Sequence, residues 1–443
     1  MLLDEALELA KKEAQKQNAA FDAVAVDKKD IGLEIFRGKV IQSEVAQSMG
    51  IGVRIYKNKK IGYSYTEKIT PEKITETVND AVENAKLSDN VEIEIPFFEE
   101  TTAGTLNLYN QELDNVNFDT LKDIGLSLEQ KAYGTDKLIT NIPHLGLVKL
   151  KKRKLFINSE NMKFDYIENM VSAGLSVFAE KNESAKSGYY VRGGRNINVF
   201  DTDLMAKEAA NRAISLLGAK PVKSGQYPVV LSNRTASRLF SMFLSSFYAE
   251  NAQKGQSKIS GKTGKEIAAK TCNLISDPHI EEGASSRLID DEGIPTKPIY
   301  LVKDGVLNSF LYHLESAAKE NKKSSGHAQR GYSSQVTTTC WNVLLEKQNS
   351  TIDNLLNANA KCIYITELEG GAGCSQISGE ISIGAQGFYI ENGEKVHPVD
   401  EITLNTNFFD LLKNIESISN NYDDSFSSVK IPDLLIKEIF VAG

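Results

Sequence analysis

Two stretches of this chain follow one plan, and that plan restricts the folds open to it. Residues 33–65, "LEIFRGKVIQSEVAQSMGIGVRIYKNKKIGYSY", alternate apolar and polar residues as short strands do, with "KNKK" as a turn. The helix "TPEKITETVNDAVENAKL" follows, with Thr70 placed as N-cap, Pro71 in its first turn and Glu72 nearby. The second stretch, 164–191, runs through the strand "FDYIENMVSAGLSVFAE", a turn and "SGYYV". It leads into the helix "DTDLMAKEAANRAISLL", capped by Asp201 or Thr202. Gly50, Val53 and the pair Gly62-Tyr63 answer to Gly174, Val177 and the pair Gly188-Tyr189. The valine precedes the Gly-Tyr pair by nine residues in one copy and eleven in the other, a difference a hairpin absorbs without turning either strand over. The pattern reads as a strand–hairpin–helix unit used twice in one sheet; two unrelated hairpins are the alternative. Between the copies, "FDTLKDIGLSLEQKAYG" (118–134) is an amphipathic helix ended by Gly134.

The pattern changes near residue 222. "QYPVVLSN" reads as a buried strand and "RTASRLFSMFLSSFYAENAQK" as a largely apolar helix. Strand-and-turn material dominates from residue 256, with Gly370, Gly371, Gly373, Gly379, Gly384, Gly387 and Gly393 set among alternating apolar residues. That spacing predicts a curved, mainly antiparallel sheet. A helix, "NFFDLLKNIESIS", interrupts before the last strand. The expected class is therefore α+β. Residues 1–222 form an N-terminal α/β domain with helices on a mixed sheet, and residues 223–443 a β-rich domain whose sheet is half-barrel-like.

Composition narrows the function classes. A net charge of −8 argues against a dedicated nucleic-acid binder. The basic runs "KLKKRK" (149–154) and "KNKK" (57–60) read as solvated edge strands or hairpin tips. No stretch approaches the roughly 18 apolar residues of a membrane span. The N-terminal "MLLDEALELAKKEAQKQ" has the spacing of an amphipathic helix and not of a signal peptide. Cys272, Cys340, Cys362 and Cys374 form no CxxC pair, which predicts free thiols and a cytoplasmic location.

Catalytic motifs are scarce. There is no GxxxxGK[ST] phosphate loop and no GxSxG nucleophile elbow. His144, His279, His313, His327 and His397 all lie more than five residues apart, so no local pair starts a metal site. His144 and His279 read as turn residues, and His313 sits at a strand-to-helix change. Cys340 and Cys362 read as core, leaving Cys374 as the one cysteine in an exposed setting. The acidic run Asp290, Asp291 and Glu292 reads as a β-turn, because three consecutive acids cannot all point one way. The polar segment "SSGHAQRG" (324–331) carries the best functional histidine, His327, with Arg330, Ser324 and Ser325 beside it.

Several segments of the C-terminal half resemble the TldD/PmbA family, described both as modulators of DNA gyrase and as metallopeptidases. They are "AENAQKGQSKISGKTGKEIA" (249–268), "DDEGIPTKPIYLVKDGVLNSFLYHLESA" (290–317), "SSGHAQRG", "SGEISIGAQGFYIENGEKVHPVDEITL" (378–404) and the closing "VAG". The N-terminal region fits as well, so the resemblance covers nearly the whole chain. Metal-bearing TldD-type members carry His-Glu-x-x-x-His before Gly-x-Ser-x-x-Ser-Gly, and a cysteine ligand near the C-terminus. Counted back from Gly255, Ser257, Ser260 and Gly261, the histidine positions fall at Phe240 and Ser245 and the glutamate position at Ser241. The last forty residues hold no cysteine. The chain thus resembles the PmbA (TldE) type, the partner subunit without the metal.

The resemblance implies a cytoplasmic peptidase complex that degrades or matures unfolded peptides. This chain would bind no cofactor, zinc being expected only in a sister subunit, and would have no catalytic residue of its own. The implied partners are a metal-bearing TldD-type sister (a heterodimer) or a second copy (a homodimer), with a peptide as substrate and neither nucleic acid nor membrane. "SSGHAQRG" corresponds to the family segment Ser/Thr-Gly-Asn/His-x-x-Arg in the wall of a shared cavity. The substrate-binding residues it implies are His327, Arg330 and Ser325, with Gly371 and Gly373 of the glycine-rich loop and Asn392 of "GFYIENGE". One alternative is a stand-alone, homodimeric peptide-binding or regulatory protein without proteolytic activity. Another is a self-sufficient hydrolase using Cys374 or His327. A gyrase-binding role gains nothing from the charge pattern.

Overall fold

The computed structural model describes residues 1–89, 93, 95 and 106–443. Helix α1 (Leu3–Lys16) buries Leu3, Ala6, Leu7, Ala10 and Ala14, one stripe at helical spacing. Three antiparallel strands follow: β1 (Ala20–Phe36), β2 (Lys39–Lys57) and β3 (Lys60–Thr66). Helix α2 (Pro71–Leu87) then starts at Thr70, whose side chain accepts from the Lys73 N–H. The plan recurs as α3 (Phe118–Thr135), β4 (Ile139–Asn158), β5 (Lys163–Lys181), β6 (Ser184–Gly194) and α4 (Thr202–Ile214). Asp201 caps α4, its side chain accepting from the Leu204 N–H.

The two copies share one curled sheet in the order β3-β2-β1-β4-β5-β6. They meet where β1 and β4 run antiparallel, from Asp22 opposite Asn158 to Glu34 opposite Gly146. All five pairings are antiparallel, so this sheet is not mixed; among the described residues the parallel strand pairs belong to the C-terminal half. One face of the first copy packs under α1 and α2 through Phe21, Ala23, Ala25, Val78 and Ala81. The second packs under α3 and α4 through Leu145, Leu147, Leu175, Ala209 and Ala213.

The internal repeat is therefore real, with a register different from the one expected. Gly62 faces Ile55, and Gly188 faces Val177, so Val177 answers to Ile55 and Gly174 to Gly52. The second hairpin is longer on both strands, and each side chain keeps its face. The repeated glycine has a steric cause. A Cβ at Gly62 would lie 1.8 Å from the Ala81 carbonyl oxygen, and one at Gly188 would lie 2.2 Å from that of Ala209. Each helix sits on its strand by the same bare contact.

The basic runs part company. "KNKK" forms the β2–β3 hairpin tip, as its composition suggests. "KLKKRK" does not lie on an edge: it is in β4, at the centre of the sheet, with Lys149 and Lys154 buried. Opposite it on β1 runs "DKKD" (27–30), with Asp27 facing Arg153.

In the C-terminal half, strand β7 (Gly225–Leu231) leads into helix α5 (Asn233–Ser241), capped by Ser232. β7 lies between strands Lys361–Glu369 (parallel) and Leu434–Ala442 (antiparallel). Strands Glu380–Glu391 and Glu394–Asn407 extend the sheet, and Thr403–Asn405 pairs back onto Phe440–Ala442. That last pairing closes the barrel. The half-barrel curl thus belongs to the N-terminal sheet, and the C-terminal sheet goes further, to closure. Its core includes Val229, Leu231, Phe240, Phe243 and Phe408, and Cys272 and Cys340.

Candidate functional site

Strand alternation sends Asp22, Val24, Val26 and Lys28 of β1 to the face away from the helices. From β4 the same face receives Lys152, Lys154 and Phe156, and from β2 it receives Arg54. The C-terminal half closes over one end of it. Val24, Val26, Phe156 and Met162 pack with Ile289 in a small apolar cluster, and charged groups surround that cluster.

Arg54 Nε donates to both Asp22 carboxylate oxygens at 3.1 Å, and its Nη1 donates to Glu292 Oε1 at 2.7 Å. The Tyr56 hydroxyl donates to Asp22 at 2.6 Å, and Arg330 pairs with the other Asp22 oxygen. Lys154 Nζ lies 2.5 Å from Asp291 and donates to the Arg330 carbonyl at 2.7 Å. The Arg330 N–H donates back to Asp291 at 2.8 Å. Asp22, Arg54, Lys154, Asp291, Glu292 and Arg330 are all at most 5 % exposed. Charges so deep are tolerated only when paired, so these pairs fix how the two halves meet.

The turn expected at Asp290–Gly293 is present, and each acid has its own direction. Asp290 accepts from the N–H groups of Glu292, Ile294 and Ala328, which shapes the turn. Asp291 points to Lys154 and Arg287, and Glu292 to Arg54 and the Leu314 N–H. Burial by itself would raise the Asp22 and Asp291 carboxyls. Arg330 and Arg54 overcome it at Asp22, and Lys154 and Arg287 at Asp291, holding both below the usual range. Burial pulls Lys154 down to about 7 against the attraction of Asp291.

A cavity of about 400 Å³ opens beside this network, between β1, β4 and β5 and the loops at 284–291 and 329–333. Arg330 lines it; His327 and Ser325 do not. His327 is fully buried, with Nε2 3.1 Å from the Ser276 hydroxyl and Nδ1 2.8 Å from the Ser325 carbonyl. Its ring stacks on Trp341, and burial pushes its pKa down to about 4. It is neutral at pH 7. The Ser325 hydroxyl accepts from the Tyr312 N–H at 2.7 Å. His279 lies in a turn as expected, whereas His144 lies in β4.

The other implied residues lie elsewhere. Gly371 and Gly373 belong to the loop after strand Lys361–Glu369, tied to α5 where Arg238 donates to the Leu368 and Gly370 carbonyls. Gly373 faces the Ser382 backbone of its own chain, 2.2 Å from where a Cβ would be. Cys374, in the same loop, is half-buried, with its thiol pKa raised by burial. Asn392 forms a hairpin turn with Gly393, both at positive φ. The structure does not bring these three residues to Arg330.

The resemblance to TldD-type members sets the metal-motif positions at Phe240, Ser241 and Ser245. Phe240 is fully buried in the core. The Ser241 hydroxyl donates to the Arg238 carbonyl at 2.7 Å, and that of Ser245 to Gln376 Oε1 at 2.8 Å. Phenylalanine offers no donor and serine hydroxyls are poor zinc ligands, so these residues do not fit the ion. Among the described residues no group of three or more His, Cys, Asp or Glu is placed to hold a metal. Among them, too, no helix is long and apolar enough to cross a membrane.

Sequence reasoning missed Asp22, Arg54, Lys154, Arg287 and Asp291. No local signal marked them: of the five only Lys154 lies in a basic run, and across the strands it faces Val26, while Lys28 and Lys29 face Lys152 and Lys151.

A curled sheet carrying two repeats and docked on a closed barrel is an arrangement found in known proteins. Family models for the PmbA/TldA metallopeptidase domain 1, central domain and C-terminal domain match residues 21–85, 111–217 and 224–443. The chain belongs to this PmbA/TldD metallopeptidase-type family. It is 26% identical to the metalloprotease PmbA of Escherichia coli O157:H7, over 100% of this chain and 96% of that protein. A Thermotoga maritima protein described as a modulator of a DNA gyrase is 26% identical, with a TM-score of 0.90 and 100% of both chains covered. TldE of Thermococcus kodakarensis shares the fold at a TM-score of 0.87 and 19% identity, over 100% of both chains.

Proposed function

We propose that this chain is the metal-free subunit of a cytoplasmic PmbA/TldD-type peptidase complex, supplying chamber wall and substrate positioning. One observation carries the reading: the residues at the three metal-motif positions, Phe240, Ser241 and Ser245, cannot hold zinc, while the surrounding fold is intact. The zinc and its activated water belong to a TldD-type sister chain. This chain's groups act on the peptide. Arg330 lines the cavity with its guanidinium turned inward to Asp22, and His327 and Ser325 hold its loop in shape. The loop of Gly371 and Gly373 and the Asn392 hairpin are further candidate contacts for an extended peptide.

The test is purification of the tagged chain from its own host, followed by peptide hydrolysis assays. A partner in equal amount, bearing a His-Glu-x-x-x-His helix, is the expected result. Hydrolysis is expected only with both chains present, and a chelator should abolish it. The reading fails if the chain recovers only itself, or if it cleaves peptides alone in excess chelator.

A further inference from the structure

The cavity beside the buried network carries an unusual charge balance. Six of its lining residues are cationic (Lys28, Lys152, Lys154, Arg195, Arg287 and Arg330), and two are acidic, Glu168 and Asp291. Four of the cations pair with a carboxylate: Lys28 with Asp30, Lys152 with Glu168, Lys154 with Asp291, and Arg330 with the Asp22 it shares with Arg54. The other two differ. Arg195 is held by the carbonyls of Leu108, Asn169, Glu282 and Gly283. Arg287 donates to the Tyr166 hydroxyl at 3.2 Å and lies over the Trp341 ring, and the one carboxylate it pairs with, at 3.3 Å, is the Asp291 that Lys154 already occupies.

Two donors enclosed behind this wall are also unused. Arg330 Nη1 and Arg287 Nε are buried and have no hydrogen-bond partner among the described residues. A buried guanidinium N–H without an acceptor is costly, and a bound water or ion is one of its explanations. A surplus of about two positive charges over planar donors suits one carboxylate. At about 400 Å³ the cavity falls within the roughly 300–1,000 Å³ of small-ligand pockets.

The neighbouring backbone suggests what bears that carboxylate. β2 pairs with β3 only from Ile51 onward, which leaves its outer edge from Lys39 to Gly50 without a strand partner among the described residues. Ser48, on that edge, lines the cavity. An extended peptide adds to such an edge through backbone hydrogen bonds.

We propose that this cavity receives the C-terminal carboxylate of a peptide, with Arg287 as its receptor; the assignment rests on the peptidase-subunit reading. The chain would then measure a peptide from its end and set which bond reaches the sister subunit's metal.

The full chain is titrated by calorimetry with tetraalanine and with tetraalanine amide. Trp341, the only tryptophan, gives a second readout, because its ring lies 4.3 Å from the Arg287 guanidinium carbon. The free acid is expected to bind at least about tenfold more tightly than the amide and to change the Trp341 emission. Arg287→Gln should remove that preference. Should this buried change unfold the chain, Lys28→Gln on the more open rim is expected to weaken the acid by about twofold to threefold and leave the amide unchanged.

Equal binding of acid and amide, no binding of the acid, or displacement of the acid by an equal concentration of inorganic phosphate each overturns the assignment. If that happens in a chain that still pairs with a metal-bearing sister, the peptidase-subunit reading survives alone. Acid-selective binding by a chain with no sister would sustain the site and remove that reading.

Discussion

One row across the sheet occurs twice, and the two versions serve different ends. In the first copy the row is Asp22, Arg54 and Tyr63; at the matching positions of the second it is His144, Ser176 and Tyr189. The first row is sealed under the C-terminal half, with Asp22 and Arg54 at most 5 % exposed. Tyr63 donates to the Tyr332 carbonyl, and Gly52 leaves room for that same backbone. The second row stays open: Tyr189 is 46 % exposed, and His144 lines a shallow cavity. The helix side of both copies keeps the same glycine-to-alanine contact. Sterics held the scaffold constant on one face while the other face was free to diverge.

The largest expected effect tests the sealed row. Asp22→Ala strands Arg54 and Arg330 in the interior and should lower stability to urea by about 3–5 kcal/mol. His144→Ala, at the matching open position, should stay within about 0.5 kcal/mol. Equal losses would erase the distinction between the rows.

A pH series sharpens it further, through the loop that brings Arg330 to Asp22. Below about pH 6.5 the unfolded chain takes up a proton at His327 that the folded chain, with a pKa near 4, refuses. Stability should therefore fall as pH drops from 6.5 towards 4, by about 3 kcal/mol from this residue. His327→Gln should flatten that part of the profile, as measured by urea unfolding between pH 7 and 4. An unchanged slope would place the acid sensitivity elsewhere.

The shared face offers a matched pair. Gly62→Ala and Gly188→Ala should each cost about 1–3 kcal/mol, and by similar amounts, because both drive a methyl into a helix carbonyl. Tolerance at only one site would mean that the two helix contacts are not equivalent. Smallest is Tyr332→Phe, which removes the 2.6 Å bond to exposed Glu67 and should cost about 0.5 kcal/mol in the same assay.

Local features were legible in the sequence because their causes are local. Thr70 and Asp201 cap the helices they precede, "KNKK" turns a hairpin, and Cys340 and Cys362 are core. The repeat was visible, but its register was not, since two hairpins of different length can be aligned on the wrong glycine. The buried network was missed for another reason. Asp22 and Arg330 are 308 positions apart, and Arg54 and Glu292 are 238 apart, so each charge looks solvent-facing until its partner arrives. Lys154 is the clearest case: inside a run of basic residues it looks like an edge device, and only the fold shows it to be interior.

The closed barrel has a consequence for biosynthesis. β7 is the first of its strands to leave the ribosome, yet both its neighbours, Lys361–Glu369 and Leu434–Ala442, lie far downstream. Until they emerge, Val229, Val230 and Leu231 present two bare strand edges, the kind of surface that invites aggregation during translation. The N-terminal sheet faces no such delay, since all six of its strands are made by Gly194. A nascent chain therefore carries a finished half-barrel, with Asp22, Arg54 and Lys154 still without their later partners, while the rest is being made. Chaperone demand should concentrate in that interval, between the synthesis of β7 and that of the strand which closes the ring.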